Sequence, residues 1–167
     1  MSLPILLHAQ KPALSSEAFL QSALATVQAR STAKHQVLPA ASEIFVDRNG
    51  LDSELAPLGF QIDHVGADVR FAGRIFKKQS WEKLKICAVQ SNPRATKCTL
   101  LPNTVVVRFV DAKWVVPNAE LRITVGVYQR AEAGPKYSGI GGNVFEYFFI
   151  LKNGVWVMDR IGTVIAG

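Results

Sequence analysis

Two carboxylates near the C-terminus, Glu146 and Asp159, are the residues whose types and spacing could support chemistry. They flank Asn153-Gly154, a dipeptide that favours a tight β-hairpin turn because both residues tolerate positive φ. In the register that this turn sets, the two carboxylates lie diagonally across the strand pair, with α-carbons about 7–8 Å apart. Two carboxylates in an apolar surround resist simultaneous ionisation, which is one way in which proteins prepare a general acid or base. The pair could therefore transfer protons, or it could lie at a solvated strand end beside a basic neighbour.

Aromatic and basic side chains near this pair could bind a substrate or a small apolar or amphipathic ligand. The candidate binding residues are Tyr128, Tyr147, Phe148, Trp156 and Arg160. The stretch Ala131 to Gly142 contains four of the twelve glycines and predicts a mobile loop that could cover the site. Proton transfer, as in isomerisation, dehydration or hydrolysis, would be the reaction class because the chain has no cofactor signature.

Metal and nucleotide motifs are absent from the sequence. His8, His35 and His64 lie far apart, and none stands at a metal-ligand spacing from another His or a Cys. The glycines at 139, 141 and 142 have neither the spacing of a dinucleotide loop nor the Lys-Ser or Lys-Thr of a P-loop. We therefore expect neither a metal nor a cofactor.

The hairpin from Asn143 to Gly167 must position the candidate residues, and it is apolar on both faces. Alternation predicts one face with Leu151, Phe149, Tyr147, Phe145, Trp156, Met158 and Arg160, and another with Ile150, Phe148, Glu146, Val144, Val157, Asp159 and Ile161. In this register Lys152 faces Val155. A strand pair that is apolar on both sides is expected inside a larger sheet, with helices on one face and more protein, or a partner chain, on the other.

The preceding chain is predicted to supply helices first and strands afterwards. Helical spacing of apolar residues predicts a helix over Ser16 to Ala33. Pro39 suits the start of a second helix through Phe45, which Asn49-Gly50 would stop. Leu51 to Pro57 would be a turn or one more helical turn, capped by Asp52. The strand candidates are Phe60 to Val65, Val69 to Phe76, Leu84 to Gln90, Thr96 to Leu101, Thr104 to Val110 and Glu120 to Gln129.

Composition indicates an ordered globular protein of one domain, with 167 residues, 49% apolar and 19% charged. We expect residues 1–15 to be an N-terminal arm or leader remnant and residues 16–167 to be a single α+β domain. The net charge is +6, but the basic residues are scattered, so nucleic-acid binding is not expected. No stretch approaches the about 20 apolar residues of a membrane span.

The two cysteines, Cys87 and Cys98, bracket a predicted hairpin. A turn centred between Asn92 and Pro93 places them directly opposite, where a disulfide can form, whereas a turn that begins at Pro93 places them out of register. A bridge, together with the leader-like start, would favour a periplasmic or secreted protein. Two buried thiols in a cytoplasmic protein are the alternative.

The order of elements, with an N-terminal helical third and then a long antiparallel sheet that ends in an aromatic-rich hairpin, resembles the NTF2-like (SnoaL-like) superfamily. The resemblance implies a cone in which the curved sheet surrounds a pocket that helices close, in proteins that are enzymes, binding modules or accessory domains of secretion systems. A cystatin-like arrangement of a helix on a sheet is the alternative. The leading functional hypothesis is an exported, non-catalytic domain that binds another protein or itself, as a homodimer, through the outer sheet face. The alternatives are a small-molecule enzyme that uses Glu146 and Asp159, and, third, nucleic-acid binding.

Overall fold

The structure, a computed structural model, describes residues 14–15, 19, 21–23, 25–26, 43–61, 69–71, 74–88, 97–132 and 138–166. Within these ranges the chain is a mixed fold of helix and strand that consists mostly of sheet. The strands are β1 Leu14–Ser15, β2 Glu43–Asp47, β3 Phe60–Gln61, β4 Val69–Phe71, β5 Arg74–Gln79, β6 Lys85–Ala88, β7 Lys97–Leu100, β8 Thr104–Val116, β9 Glu120–Glu132, β10 Ser138–Lys152 and β11 Val155–Ala166. The helical elements are α1 (residues 19, 21–23 and 25–26), α2 Arg48–Gly50, a π-helical turn Leu51–Leu55, a 3₁₀ turn Ala56–Leu58, and α3 Trp81–Leu84.

Seven of these strands form one sheet in the order β11-β10-β9-β8-β2-β5-β4. The pairs β11–β10, β10–β9, β9–β8 and β5–β4 are antiparallel, whereas β2 is parallel to both of its neighbours. Two shorter pairs lie outside this sheet: β1 with β3, and β6 with β7. The predicted α+β class with a mostly antiparallel sheet is therefore confirmed.

One face of the sheet, here called the inner face, packs on α1 and on the helical turns after β2. Its strand residues alternate along β8, β9 and β10, as a half-buried sheet requires. The core contains Ile44, Val46, Phe76, Val105, Val107, Phe109, Leu121, Ile123, Val125, Val127, Phe145, Tyr147, Phe149 and Trp156 from the sheet, with Phe19, Ala23, Leu51, Leu55 and Phe60 above it. The predicted N-terminal helix is confirmed where it is described; the rest of Ser16 to Ala33 lies outside the described residues.

The predicted second helix, from Pro39 through Phe45, is wrong for its described part, because residues 43–47 form β2. Ile44, Phe45 and Val46 are buried, with alternate side chains on the two faces of the sheet. A short run of β-branched and aromatic residues that is covered on both faces is typical of a central parallel strand. Residues 39–42 lie outside the described part of the chain.

Asn49-Gly50 opens a helical segment and does not end one. Its N-cap is Asp47, whose carboxylate accepts a hydrogen bond from the backbone N–H of Asn49 at 3.2 Å, so the cap is not Asp52 as predicted. A Cβ on Gly50 would lie 2.6 Å from the backbone oxygen of Phe109. Glycine is therefore required here because the helical turn approaches the β8 backbone closely.

Several strand boundaries differ from the prediction. The single strand predicted over Val69 to Phe76 is two antiparallel strands, β4 and β5. The sequence predicts a mobile loop over Ala131 to Gly142. In the structure, residues 131–132 end β9, and residues 138–142 belong to β10 and pair with β9. The loop prediction is therefore wrong for these residues, because the Tyr128 ring fills the space over Gly126 and Gly142 and lets glycines lie in strands. Residues 62–68, 72–73, 89–96 and 133–137, which include other predicted strand ends and turns, lie outside the described ranges.

The C-terminal hairpin has the predicted turn. Asn153 and Gly154 adopt φ values of 51° and 78°, and Lys152 pairs with Val155. Two register shifts follow. The first lies between the pair Phe149–Met158 and the pair Phe148–Arg160, and the second lies between the pair Tyr147–Ile161 and the pair Phe145–Val164. Such bulges each insert an extra residue in β11 and twist it locally.

The prediction that the hairpin is hidden on both faces is wrong for the described part of this chain. The inner face is covered, but on the opposite, outer face Val157 is 41% and Ile165 is 59% exposed. The physical reason is that β11 ends the sheet, while the elements that the described ranges place on the outer face, α3 and the β6–β7 pair, lie against β2, β8 and the β9–β10 end that carries Tyr128 and Ile140.

Candidate functional site: the outer face of the sheet

The exposed part of the outer face is built by the second half of β8, the start of β9, the second half of β10 and the length of β11. Phe148 on β10 stands between two arginines, because it pairs with Arg122 on β9 and with Arg160 on β11. The Arg160 guanidinium lies over the Phe148 ring at 3.9 Å from its centroid, which is cation–π distance. This row of side chains is the centre of the candidate site.

Arg122 is held by two carboxylates from neighbouring strands. Its Nη2 donates to Oδ2 of Asp111 on β8, and its Nη1 lies 3.4 Å from Oε1 of Glu146 on β10. The other oxygen of Glu146 accepts a hydrogen bond from the backbone N–H of Thr163 at 3.2 Å. Both oxygens of the Glu146 carboxylate are therefore engaged.

Arg160 forms a second ionic group beside the first. Its Nη2 donates to Oε1 of Glu120 at 2.7 Å, and its Nη1 donates to Oδ2 of Asp159 at 3.0 Å. Hydrogen bonds to Glu120, and then to Asp159, raise the pKa of Arg160 above its ordinary value. Arg160 therefore remains a cation across the whole accessible pH range, and its charge is fixed.

The two carboxylates that the sequence predicts as an acid–base pair are bound to different arginines. The bulge at Asp159 shifts the register by one residue, so Phe148 faces Arg160 instead of Asp159. Glu146 then lies against Gly162 and Thr163, with Arg122 as its ionic partner. The predicted diagonal placement across the strand pair depended on an unbroken register, which the bulges remove.

Gly162 is the residue that lets Glu146 lie flat over β11. A Cβ on Gly162 would collide with the Glu146 carboxylate and approach the Phe148 ring to 3.0 Å. We expect Gly162→Ala to displace the flexible Glu146 side chain, break its contacts with Arg122 and Thr163, and cost up to about 1 kcal/mol, the scale of an exposed ion pair.

Urea unfolding of Gly162→Ala measures this cost. Gly139→Ala is the matched control, because a Cβ on that β10 glycine meets nothing within 4 Å. In a Glu146→Ala background the cost of Gly162→Ala should fall toward that of Gly139→Ala, with the contact to the Phe148 ring as the remaining difference. An equal cost with and without the Glu146 side chain would contradict this explanation.

A second polar cluster on the outer face lies beside α3 and was not recognised in the sequence. Asp47 at the end of β2 is fully buried, and its Oδ2 accepts a hydrogen bond from Nε of Arg108 at 2.8 Å. Its other oxygen accepts from the backbone N–H of Trp81 at 3.0 Å. The Arg108 guanidinium lies 4.4 Å from the Trp81 ring and 5.9 Å from the Tyr128 ring. No spacing in the sequence links these residues, because they come from four separate elements.

The predicted binding residues are divided between the two faces. Tyr147 and Trp156 lie in the inner core, where Trp156 contacts Phe19, and so they line no part of the outer surface. Phe148 and Arg160 lie together on the exposed outer face. Tyr128 is on the outer face as well, but it packs with Trp81 in the second cluster. The structure therefore brings together only Phe148 and Arg160, beside the two candidate carboxylates.

The cysteine pair is bridged. Cys87 on β6 faces Cys98 on β7 directly, their α-carbons are 4.0 Å apart, and the two sulfur atoms are bonded. This is the register of a turn centred between Asn92 and Pro93, although those two residues lie outside the described part. The hairpin packs through Leu84, at the end of α3, and Leu100 on Phe45 and Val106 of the main sheet. The disulfide therefore links β6 to β7, and this strand pair covers the end of the outer face that carries Tyr128 and Ile140.

Metal-binding clusters and membrane-spanning helices are both absent from the described ranges. These ranges contain no cluster of three or more His, Cys, Asp or Glu residues with the geometry to hold a metal ion. They also contain no helix whose length and hydropathy would let it cross a membrane.

Comparisons with known proteins identify no relative. No protein-family model matches this chain, and no curated protein or solved structure matches it either.

Proposed function

We propose that this chain is a non-catalytic protein-interaction domain that binds a polypeptide along β11 and the adjoining outer face. The observation that carries the proposal is the exposed edge strand. β11 is twelve residues long, ends the sheet, and has only β10 as a strand neighbour in the described residues. An edge strand of this length offers unpaired backbone donors and acceptors to another chain, which is the basis of β-strand addition.

The side chains of β11 support the same function. Val155, Val157, Val164 and Ile165 are between 41% and 59% exposed, although β-branched residues of this kind favour a covered strand. Exposed apolar residues that adjoin one another on an open strand are typical of an interaction surface. A polypeptide is the occupant that fits both features, since it alone can pair with the backbone and cover the side chains.

The fixed charges beside β11 would orient such a partner. Arg160 and Arg122 are each held by two carboxylates, and Lys113 and Lys152 lie on the same surface, so its four positive and four negative charges balance. Charges at the rim of an interface set register and exclude wrong partners more than they add affinity. A balanced surface of this kind suits a polypeptide better than a polyanion.

Catalysis by Glu146 and Asp159 has no comparable support. Both carboxylates are occupied by arginines, and the glycine-rich segment that was predicted to cover them lies partly in β10. An exported location, periplasmic or secreted, fits the disulfide between Cys87 and Cys98. We keep an NTF2-like relationship as a proposal, which the helix on a mostly antiparallel sheet supports at the level of fold class.

Lysine-directed crosslinking in extracts of the cells that produce the protein tests this function. Lys152 adjoins the β10–β11 turn and Lys113 lies on the exposed part of the outer face, whereas Lys83 is on α3, which covers the other end of that face. We expect crosslinks to a polypeptide at Lys152 and Lys113, and their loss in Val157→Asp. The matched control is Val110→Asp, because Val110 is similarly exposed but lies on β8.

The proposal fails if crosslinks at Lys152 and Lys113 are absent. It also fails if they are no more frequent than those at Lys83, or if they survive Val157→Asp unchanged.

A further inference from the structure

We infer that the polypeptide which pairs with β11 is a second copy of this chain, with the two β11 strands antiparallel around a two-fold axis at Ile161. The inference rests on the proposed function and names its partner. In such a pair, residue 161 faces itself, and residues equally distant from it on the two sides face each other.

The positions that would face each other have matching chemistry. At four residues from the axis Val157 faces Ile165, and at three residues Met158 faces Val164, so every pair at these distances is apolar. Closer to the axis, each charged residue faces a small or neutral one. Arg160 faces Gly162, and Asp159 faces Thr163. No like charges stand directly opposite, which is the arrangement that would destabilise a strand pair.

The faces of the strand match as well. Val157 and Ile165 pair within the hairpin with Ile150 and Val144, which belong to the outer face. Met158 and Val164 pair with Phe149 and Phe145, whose side chains are in the inner core. Residues that face each other across an antiparallel pair must point to the same side of the sheet. The pairs around Ile161 meet this condition in spite of two bulges.

The bulges themselves obey the same symmetry. One inserts Asp159, between the pairs of Met158 and Arg160, and the other lies between Ile161 and Val164. The two-fold axis brings Asp159 of one copy to Thr163 of the other, so the irregular positions meet each other and the regular positions meet each other. A bulged edge usually discourages pairing. A second β11 that runs in the opposite direction presents the same bulges in reverse order, so bulged positions lie opposite bulged positions and the two strands can still pair.

One end of the paired region is marked by α1. The hydroxyl of Ser22 donates a hydrogen bond to the backbone oxygen of Trp156 at 2.7 Å, so this carbonyl already has a partner. The open edge thus begins at Val157. By symmetry the paired region extends to Ile165, the residue that faces Val157, which gives nine residues from each copy.

The two Arg160 side chains would lie diagonally across the axis on the outer face, about 7–8 Å apart at their α-carbons. Each is bound by Glu120 and Asp159 of its own chain. The four carboxylates offset the repulsion between the two guanidinium groups, so the charges permit this register.

Two substitutions at Ile161 test the inference on the 167-residue chain with its disulfide intact. Light scattering over a range of concentrations should give twice the monomer mass for the wild type, and the monomer mass for Ile161→Lys, which places two ammonium groups opposite each other. Ile161→Cys should form a covalent dimer under mild oxidation, because directly opposed residues lie about 4.5–5.5 Å apart, within disulfide reach.

Val115 provides the controls, because it is 45% exposed but lies on β8, which is not next to β11. Val115→Lys should leave the dimer intact, and Val115→Cys should give no covalent dimer. The inference is overturned by a wild type that stays monomeric at every concentration, by a dimer that Ile161→Lys leaves unchanged, or by an equal yield of covalent dimer from the two cysteine variants.

A monomer that still crosslinks to another polypeptide at Lys152 would retain the proposed function and reject the second copy as partner. A monomer without such crosslinks would reject both.

Discussion

Replacing Arg108 with methionine is expected to lower the free energy of unfolding by about 3–5 kcal/mol, because it leaves a buried carboxylate without its counter-charge. Asp47 is fully buried and is bound by Arg108 at 2.8 Å. After the substitution the backbone N–H groups of Asn49 and Trp81 are the donors to it that remain among the described residues. Methionine keeps most of the apolar stem that packs beside Trp81, so the loss of charge is the main change.

A double variant separates the charge from the packing. Asp47→Asn with Arg108→Met removes both charges and keeps an acceptor oxygen for the two backbone donors, so much of the lost stability should return. Lys77→Met is the control, because its ion pair with Glu43 is exposed at both partners, and such pairs contribute about 0–1 kcal/mol.

Guanidinium unfolding monitored by tryptophan fluorescence measures all three variants. A cost for Arg108→Met that is no larger than the cost for Lys77→Met would contradict the role of the pair. So would a double variant that is less stable than Arg108→Met alone.

The C-terminal hairpin shows how far sequence reasoning reached. Asn153-Gly154 predicted the turn and the first pairs, because local conformational preference decides which residues occupy positive φ. The same reasoning failed at Asp159, after four correct pairs, since a bulge has no signature in the alternation of apolar and polar residues. One extra residue was sufficient to separate the predicted acid–base pair.

β2 shows a second reason why structure could not be predicted from the sequence. Its five residues read equally well as part of a short helix or as a strand, because periodicity cannot be recognised in so short a run. Only the tertiary structure decides, by placing β2 between β5 and β8 with cover on both faces. The Asp47–Arg108 pair was missed for the same reason, since it depends on which strand becomes the neighbour of β2.

Both of these reasons apply to the outer face. Its charged residues, Asp111, Arg122, Glu146 and Arg160, come from four consecutive strands, so their types could be read from the sequence but their pairing could not. The expectation of an apolar hairpin that needs further cover came from the alternation of apolar residues along both strands, and the bulges changed the pairs without removing the exposed apolar residues. It is this expectation that leads to the proposed interaction surface.

Phe19→Ala is the second large expected effect, with a loss of about 3–5 kcal/mol, as is usual for removing a buried phenylalanine. Phe19 on α1 is fully buried, and its ring lies 5.1 Å from Phe60 and 5.3 Å from Phe149. It therefore joins the helix to the C-terminal hairpin. A typical domain has a stability of about 5–15 kcal/mol, so this loss is a large part of the total.

Ser22→Ala is the matched control on the same helix, because it removes one hydrogen bond to the Trp156 carbonyl, a contribution of about 0.5–1.5 kcal/mol. Urea unfolding followed by the fluorescence of Trp156 and Trp114, which lie 5.8 Å apart beside this helix, compares the two variants. If α1 holds the hairpin through Phe19, Phe19→Ala must lower the free energy of unfolding clearly more than Ser22→Ala does. Equal costs for the two substitutions would mean that the sheet keeps its inner core without this side chain, and that the helix is attached to β11 mainly through the hydrogen bond of Ser22.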